Sequence, residues 1–344
     1  MNNLFTATPA KDREEWDNFI TSDPTSNFLQ SWDFYEFHAS RGNQIVRKLF
    51  RDQNNKIVAA YAGVVETARR GKHLAIAGGP ILDWKNKSLV KAVFKDIKNE
   101  GKNAGCVFVR VRPQLPLSDS SLKLFSSLGL KKAPMYLSVE YAGVLDLEKS
   151  EAEILQNASQ GFRRKLRKAE KNDVQISVSK DPKDIKDFYK IQLETAKRNK
   201  FYAFSESFLE KQFAAFAKND EALLFIAKTS DHQILAENFM IFYGTEASYH
   251  YGVSSDLGTK YSAAPLLHIE AMREARRRHI TRYNLWGIVG PDEKHHRFYG
   301  VSEFKRSFGC SELKYTPAHD LVLDPKKYLL TKLIESARKK LRHV

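Results

Sequence analysis

The residues best suited to chemistry lie in Val301-Ser302-Glu303-Phe304-Lys305-Arg306-Ser307-Phe308-Gly309-Cys310, where Lys305 stands between the aromatics Phe304 and Phe308. Aromatic neighbours limit water around an ammonium and strengthen its field. A cation of that kind serves a reaction in which negative charge develops. An earlier segment, Leu124-Phe125-Ser126-Ser127-Leu128-Gly129, lines up with Phe304 to Gly309, and there Phe125 takes the lysine's place. Other landmarks repeat. Pro9 through Trp16 resembles Pro182 through Phe188, Ile57 to Ala60 resembles Ile234 to Glu237, and Phe108 to Val111 resembles Tyr283 to Trp286. The offsets all fall between 173 and 180 residues. Self-similarity at a nearly fixed period marks a duplicated unit. One half then carries a catalytic cation and the other supports it. The plainer alternative is a surface lysine on a helix, in a chain whose strand–turn–strand units merely look alike.

The elements that must position Lys305 follow from pattern. A length of 344 residues suits about two domains of ~150 residues each. The expected division is 1–147 with 317–344, and 148–316. In the first half a short helix covers Asp12 to Ile20. Asn43 to Phe50 and Lys56 to Val65 alternate as a hairpin about Asp52-Gln53-Asn54-Asn55. Leu89, Val93 and Ile97 stripe one face of a helix over Ser88 to Glu100. Strands follow at Cys106 to Val111 and Leu137 to Leu145, with loop and helix over Leu115 to Leu128 between them. In the second half, helices are expected over Pro182 to Asn199 and Ala264 to His279. Pro265 sits near the first turn of the latter, where its missing N–H costs nothing. Strands are expected at Leu223 to Lys228, Ile234 to Tyr243, Ala247 to Val253 and Thr281 to Trp286. The last helix, from Asp324, carries Leu329, Leu333, Ile334, Ala337 and Leu341 on one side, and that side is expected to pack back on the first domain. The fold class is α+β, with mixed sheets flanked by helices.

A net charge of +15 attracts polyanions: nucleic acid, anionic lipid or phosphorylated metabolites. The charge is clustered at Arg163 to Lys171, at Arg273, Arg276, Arg277, Arg278 and Arg282, and at Lys332, Arg338, Lys339, Lys340 and Arg342. The two cysteines, Cys106 and Cys310, are too few for a disulfide framework. The chain has no apolar run of ~18 residues to span a membrane. Met1-Asn2-Asn3-Leu4-Phe5 lacks the basic start and apolar core of a secretory signal. A cytoplasmic location is expected.

Seven short segments, taken in order, resemble the Fem family of aminoacyltransferases (FemA, FemB and FemX type) that build peptidoglycan interpeptide bridges. They are Phe28-Leu29-Gln30-Ser31, Gly79-Pro80-Ile81-Leu82-Asp83, Arg163 to Lys171, Arg198 to Tyr202, Tyr249 to Ser255, Tyr283 to Ile288, and Phe304 to Gly309. The resemblance covers nearly the whole chain. It implies two tandem GNAT-like domains (acyl-CoA N-acyltransferase-like), with the catalytic lysine in the second. It also implies aminolysis of an ester in a bacterial cytoplasm. Aminoacyl-tRNA supplies the acyl group, and the stem-peptide amine of UDP-MurNAc-pentapeptide or lipid II attacks it. A cation facing the tetrahedral oxyanion helps most in such a step, and the resemblance assigns that role to Lys305.

The resemblance also assigns binding residues. Arg198 and Tyr202, four apart on one helical or turn face, would contact the diphosphate and uridine end of a nucleotide-linked precursor. Where the family has a lysine after its Gln-Ser pair, this chain has His38, a weaker partner for diphosphate. Asp83, in the Gly-Pro-x-x-Asp loop, would hold the stem peptide. Phe304, Tyr249 and Tyr251 would line the substrate site, and strand alternation puts Tyr249 and Tyr251 on the same face; both, like Trp286, also suit a strand core. Arg163, Arg164, Arg167 and Lys168 project from a helix whose apolar stripe is Phe162, Leu166 and Ala169. They suit either a tRNA acceptor stem or plain solvent.

No carboxylate stands out as a base, and an ester of ribose is already activated. The segment from Gly252 to Lys260 lacks Walker spacing, and His295-His296 lacks the i, i+4 spacing of a zinc helix. No metal or cofactor is expected. No glycine-containing pyrophosphate loop precedes Ser88 or Ala264, which disfavours acetyl-CoA. Two competing readings remain: an N-acyltransferase for another amine in envelope polysaccharide assembly, and a non-catalytic RNA-binding protein. The basic tail from Leu329 to His343 suits domain packing or peripheral contact with the inner membrane. A monomer is expected.

Overall fold

Apolar periodicity and local caps account for most of the elements. The computed structural model describes residues 4–68, 71–199 and 202–342, without the side chains of 198, 199 and 340–342. The chain divides into two units, 1–140 with 314–344, and 141–313. Unit 1 begins with β1 (Thr6–Pro9), α1 (Arg13–Thr21), α2 (Trp32–Ser40), β2 (Gln44–Arg51), β3 (Ile57–Ala68), β4 (Gly71–Gly78) and β5 (Ile81–Leu82). It continues with α3 (Lys87–Asn103), β6 (Phe108–Pro113), α4 (Asp119–Ser127) and β7 (Lys131–Lys132). Unit 2 opens with β8 (Tyr141–Asp146), α5 (Glu151–Asn157), α6 (Gln160–Lys171), β9 (Gln175–Ser179), α7 (Ile185–Asn199) and α8 (Glu206–Ala217). Then come β10 (Ala222–Lys228), β11 (Ile234–Tyr243), β12 (Glu246–Ser254), α9 (Asp256–Tyr261), α10 (Ala263–Arg277), β13 (Arg282–Gly287), α11 (Tyr299–Arg306) and β14 (Ser311–Lys314). The chain returns to unit 1 for β15 (His319–Val322) and α12 (Pro325–Arg342).

The two sheets share one strand order. Unit 1 runs β1-β2-β3-β4-β6-β15-β7, and unit 2 in reverse listing runs β9-β10-β11-β12-β13-β8-β14. Each contains a parallel pair, β4 with β6 and β12 with β13, among antiparallel neighbours. The repeat inferred from four weak matches is therefore carried by the whole topology. One strand departs from simple tandem order. β8 pairs with β13 in unit 2, and the sixth place in unit 1 is filled by β15 from the chain end. For that reason the junction expected after residue 147 falls at 140.

Helices close both faces. The Asn86 side chain caps α3 by accepting the Leu89 N–H, and Leu89, Val90, Val93, Phe94 and Ile97 enter the unit 1 core. Where α3 crosses β6, a Cβ on Gly101 would meet Val109 at 2.6 Å and Leu323 at 2.8 Å, so any larger residue would have to displace both side chains. In unit 2, the Ser159 hydroxyl caps α6, and Phe162, Leu166 and Ala169 join the core with α10. The strand expected from Leu137 starts at Tyr141, while β4, α2 and α8 have no counterpart in the sequence reading.

The last helix reverses its expected orientation. α12 packs on unit 1 through Tyr328, Thr331 and Glu335, all buried, while Leu329 and Leu333 are exposed. The cause is Arg110, a buried cation on β6. Its guanidinium reaches Asp320 at 2.7 and 2.8 Å and Glu335 at 2.8 and 3.1 Å, and Tyr328 donates to Asp320 at 2.8 Å. Leaving Glu335 or its share of the Arg110 charge buried without the other would cost several kcal/mol, so the pair fixes which face of the helix is covered. Glu335→Ala should therefore lower the stability of unit 1 by about 3 kcal/mol. The check is urea unfolding; an unchanged midpoint would show that the ion cluster does not hold the helix.

Candidate active site

β12 and β13 run parallel for three residue pairs, Glu246–Arg282, Ala247–Tyr283 and Ser248–Asn284, and then part. Two local distortions mark the parting. In β12 the register slips opposite Phe239 and Met240, so that Tyr251 pairs Phe239, Tyr249 pairs Met240, and His250 is the extra residue of a bulge. In β13 Trp286 takes φ +66°, and the Asn284 Oδ1 accepts its N–H at 2.8 Å. The Asn284 amide itself donates to the buried Glu246, which also receives Ser248 and Arg282. Both strands are thus pinned at the point where they separate.

Lys305 lies at this separation. Its side chain is 6% exposed, and Nζ donates to the Gly287 carbonyl, at the end of β13, at 2.8 Å. The Tyr249 ring centroid is 5.6 Å from the same nitrogen, within cation–π range. α11 is clamped to the segment after β13. The Ser302 hydroxyl accepts the Val289 N–H at 2.9 Å, and Arg306 donates to the Val289 carbonyl. Phe304 and Phe308 meet edge to face at 5.2 Å. Phe308 is fully buried, while Phe304 stays half-buried. Burial lowers the Lys305 pKa from 10.5 to about 7.

His268, on α10, is a component the sequence reading missed. Its ring packs against Tyr249 at 4.5 Å, Phe308 at 4.9 Å and Phe304 at 5.7 Å, and its Nδ1 lies 2.7 Å from the Tyr283 hydroxyl. Nε2 is buried and has no hydrogen-bond partner. Burial, reinforced by the Lys305 charge, holds its pKa at about 3, so the imidazole is neutral. The sequence signal was only a histidine on an apolar helix stripe, which reads as core. Gly252 is a second such residue. A Cβ there would stand 1.7 Å from the Tyr249 hydroxyl, which packs over the glycine.

The expected site residues separate into groups. Lys305, Phe304 and Tyr249 come together. Tyr251 does not join them. The bulge turns it to the other face, against Phe239 at 5.9 Å and Phe204 at 5.3 Å, so alternation fails where an extra residue is inserted. Arg198 is in the last turn of α7, but its side chain lies outside the described residues. Tyr202 lies past the last residue of that helix and is 85% exposed. In unit 1, His38 sits among Phe34 and Phe37, with centroids at 4.8 and 5.0 Å. Burial and the Arg41 charge lower its pKa to about 4, so it is neutral near pH 7. Asp83 is exposed, accepts the Lys85 N–H at 2.9 Å, and lines a cavity of about 260 Å³ with Asp23, Trp84 and Gln114.

The basic clusters differ in the same way. Arg164, Arg167 and Lys168 are exposed on the outer face of α6. Arg163 instead caps the preceding helix, donating to the carbonyls of Leu155, Gln156 and Ala158. Of the arginines around α10, Arg276 donates to the Lys149 carbonyl and the other four form ion pairs inside unit 2. Arg273 bonds Glu151 and Glu270, Arg277 and Arg278 bond Glu274, and Arg282 bonds Glu246.

A mixed sheet whose central parallel strands part beside a helix, built twice in one chain, is the tandem GNAT architecture. A tandem GNAT protein from the clavulanic acid biosynthesis pathway superposes with a TM-score of 0.58 at 8% identity, over 92% of this chain and 98% of that one. A crystal structure of FemX superposes with a TM-score of 0.84 at 18% identity, over 96% of this chain and all of that one. These likenesses establish the fold. The FemAB family model matches residues 12–131, 125–233 and 207–336, and the chain belongs to that family. Aminoacyltransferase FemA of Staphylococcus aureus is 26% identical over 194 residues, 50% of this chain and 46% of FemA. The chain thus spans about half the length of the curated relatives it matches. Among the described residues, no helix is long and apolar enough to cross a membrane.

The buried amine has a thermodynamic signature. The unfolded chain binds more protons than the folded one between pH 7 and 10.5, so stability rises with pH across that window. The contribution is complete above 10.5 and is lost as pH falls through 7. Relative to a Lys305→Met variant, the unaltered chain should gain on the order of 2 kcal/mol between pH 7 and pH 9. Paired denaturation curves measure the difference, and one independent of pH would mean that Lys305 is hydrated.

Proposed function

We propose that this chain transfers an amino acid from aminoacyl-tRNA to the stem-peptide amine of a peptidoglycan precursor, UDP-MurNAc-pentapeptide or lipid II. The observation that carries the reading is Lys305: an amine kept almost dry where two strands part, in a member of the FemAB family.

The stem-peptide nitrogen attacks the ester carbonyl, a C–N bond forms, and the C–O bond to the tRNA ribose breaks. Between these events the carbonyl oxygen carries a full negative charge. Lys305 faces that oxygen as an ammonium. With a pKa of about 7, both of its protonation states are populated near neutral pH. An oxygen gaining charge beside it draws the proton onto Nζ. The attacking amine releases one proton and the leaving ribose oxygen takes one up, so no net proton is consumed. Phe304, Phe308 and Tyr249 exclude water and keep the field of the ammonium strong. Neutral His268 adds bulk without a second positive charge to compete.

The donor tRNA is assigned to the exposed face of α6 through Arg164, Arg167 and Lys168, with Arg163 shaping the helix rather than binding. Asp83 is assigned to the stem peptide. Arg198 and Tyr202 are kept as contacts to a nucleotide diphosphate. His38, neutral above about pH 4, gives that diphosphate no charge. The reading has the chain work as a monomer in the cytoplasm, where aminoacyl-tRNA is made.

The test supplies radiolabelled aminoacyl-tRNA with each acceptor in turn. Label should pass to one of them, and Lys305→Met should slow the transfer by roughly 10²- to 10³-fold, the usual loss for an oxyanion donor. Transfer undiminished in the variant would remove Lys305 from the chemistry. Absence of transfer to either acceptor, with tRNA still bound, would favour a binding protein.

A further inference from the structure

α12 is unusual in hiding its polar side and showing its apolar one. Tyr328, Thr331 and Glu335 are buried, whereas Leu329, Leu330 and Leu333 are 64, 62 and 69% exposed. At 3.6 residues per turn the three leucines span about 100° of the helix surface, and Lys332 and Lys327 lie about 60° beyond its two edges. Lys326 lies on the same outward side, one turn before the leucines. From 324 to 342 the acids are Asp324 and Glu335. Asp324 caps the helix and sits 3.5 Å from Lys327, and Glu335 is neutralised inside by Arg110. The outward face therefore offers three leucines within a basic frame.

We propose that this face of α12 docks on an anionic lipid bilayer, with the leucines entering the headgroup–acyl boundary and Lys326, Lys327 and Lys332 meeting lipid phosphates. An interfacial helix needs this division: an apolar strip to bury and a cationic border to attract the surface. Charge complementarity chooses the occupant. A second copy would bring two basic frames together in a chain that already carries +15. A bilayer rich in anionic lipid carries the opposite sign, and attracts each nearby lysine. The inverted packing of α12 supports this, because Arg110 holds Glu335 inward and so keeps the leucines outward whether or not a membrane is present. The inference concerns where the protein sits and does not depend on the transfer reaction.

Flotation with lipid vesicles tests it on the full chain. Vesicles of phosphatidylcholine mixed with phosphatidylglycerol should carry the protein upward, and vesicles of phosphatidylcholine alone should carry much less. Leu329→Ser, Leu330→Ser and Leu333→Ser combined should lower the partition coefficient roughly tenfold or more, since the apolar anchor is gone. Lys327→Gln with Lys332→Gln should lower it about fivefold per lysine and weaken its salt dependence. All five positions are exposed, and thermal unfolding of the variants confirms that the fold persists. Failure of the unaltered chain to float with anionic vesicles overturns the proposal. Undiminished flotation of the leucine variant does so too, because attraction would then lie in another basic surface such as α6. Dimerisation in solution that the leucine changes abolish would assign the face to a second copy instead.

Discussion

An ammonium held out of water needs something to hold it, and much of unit 2 follows from that need. Lys305 donates to the carbonyl of Gly287 and faces the ring of Tyr249. Neither partner is a full negative charge, so desolvation is only partly offset and the pKa falls to about 7. The partners are available only because β12 and β13 part. The His250 bulge turns Tyr249 toward the lysine, and the αL conformation of Trp286 bends β13 before Gly287. Ser302 and Arg306 then fasten α11 to the loop after β13. Such an amine is poised: a developing negative charge supplies what the protein withholds.

The duplicated scaffold makes the same point by contrast. α4 and α11 occupy equivalent places in sheets of equal strand order, and each is followed by a glycine at φ +74°, Gly129 and Gly309. Where unit 2 has Lys305, unit 1 has Phe125, fully buried and packed against Trp84, Phe94 and His319. One copy fills the position with a ring and gains packing. The other leaves an amine there and accepts the cost of burying it. Unit 1 holds its own buried cation, Arg110, under different terms: two carboxylates and a tyrosine surround the cluster, and its role is to fasten α12. Arg110 is fully paired, whereas Lys305 has only a carbonyl and a ring for partners.

How much was legible in the sequence depends on the range of the interaction concerned. The repeat, the stripe of α3, the hairpin from β2 to β3 and the place of Lys305 between two aromatics are local patterns, and they survive in the structure. The bulge at His250 was invisible, because it depends on the register with Phe239 and Met240 in another strand. Without it, simple alternation put Tyr249 and Tyr251 on one face. The leucine stripe of α12 was read correctly as a stripe and wrongly as the buried side. Amphipathic pattern says which face is apolar, and Arg110, 225 residues from Glu335, decides which face is covered. The arginines around α10 looked like a polyanion site until distant glutamates were found beside them. His268 passed as ordinary core because nothing local distinguishes a core histidine from one beside a buried lysine.

The central claim is that Lys305 waits as an under-solvated amine and becomes a firm cation when negative charge appears beside it. Nuclear magnetic resonance of the lysine side chains, with Lys305 assigned by its loss in Lys305→Met, measures this directly. The titration is run on the protein alone and again with a phosphonate that copies the tetrahedral acyl carbon of an aminoacyl ester. The account predicts a midpoint of about 7 for the free protein, climbing by roughly two pH units when the anionic mimic binds. A Lys305 that titrates with the surface lysines, or keeps its midpoint when the mimic binds, would contradict it.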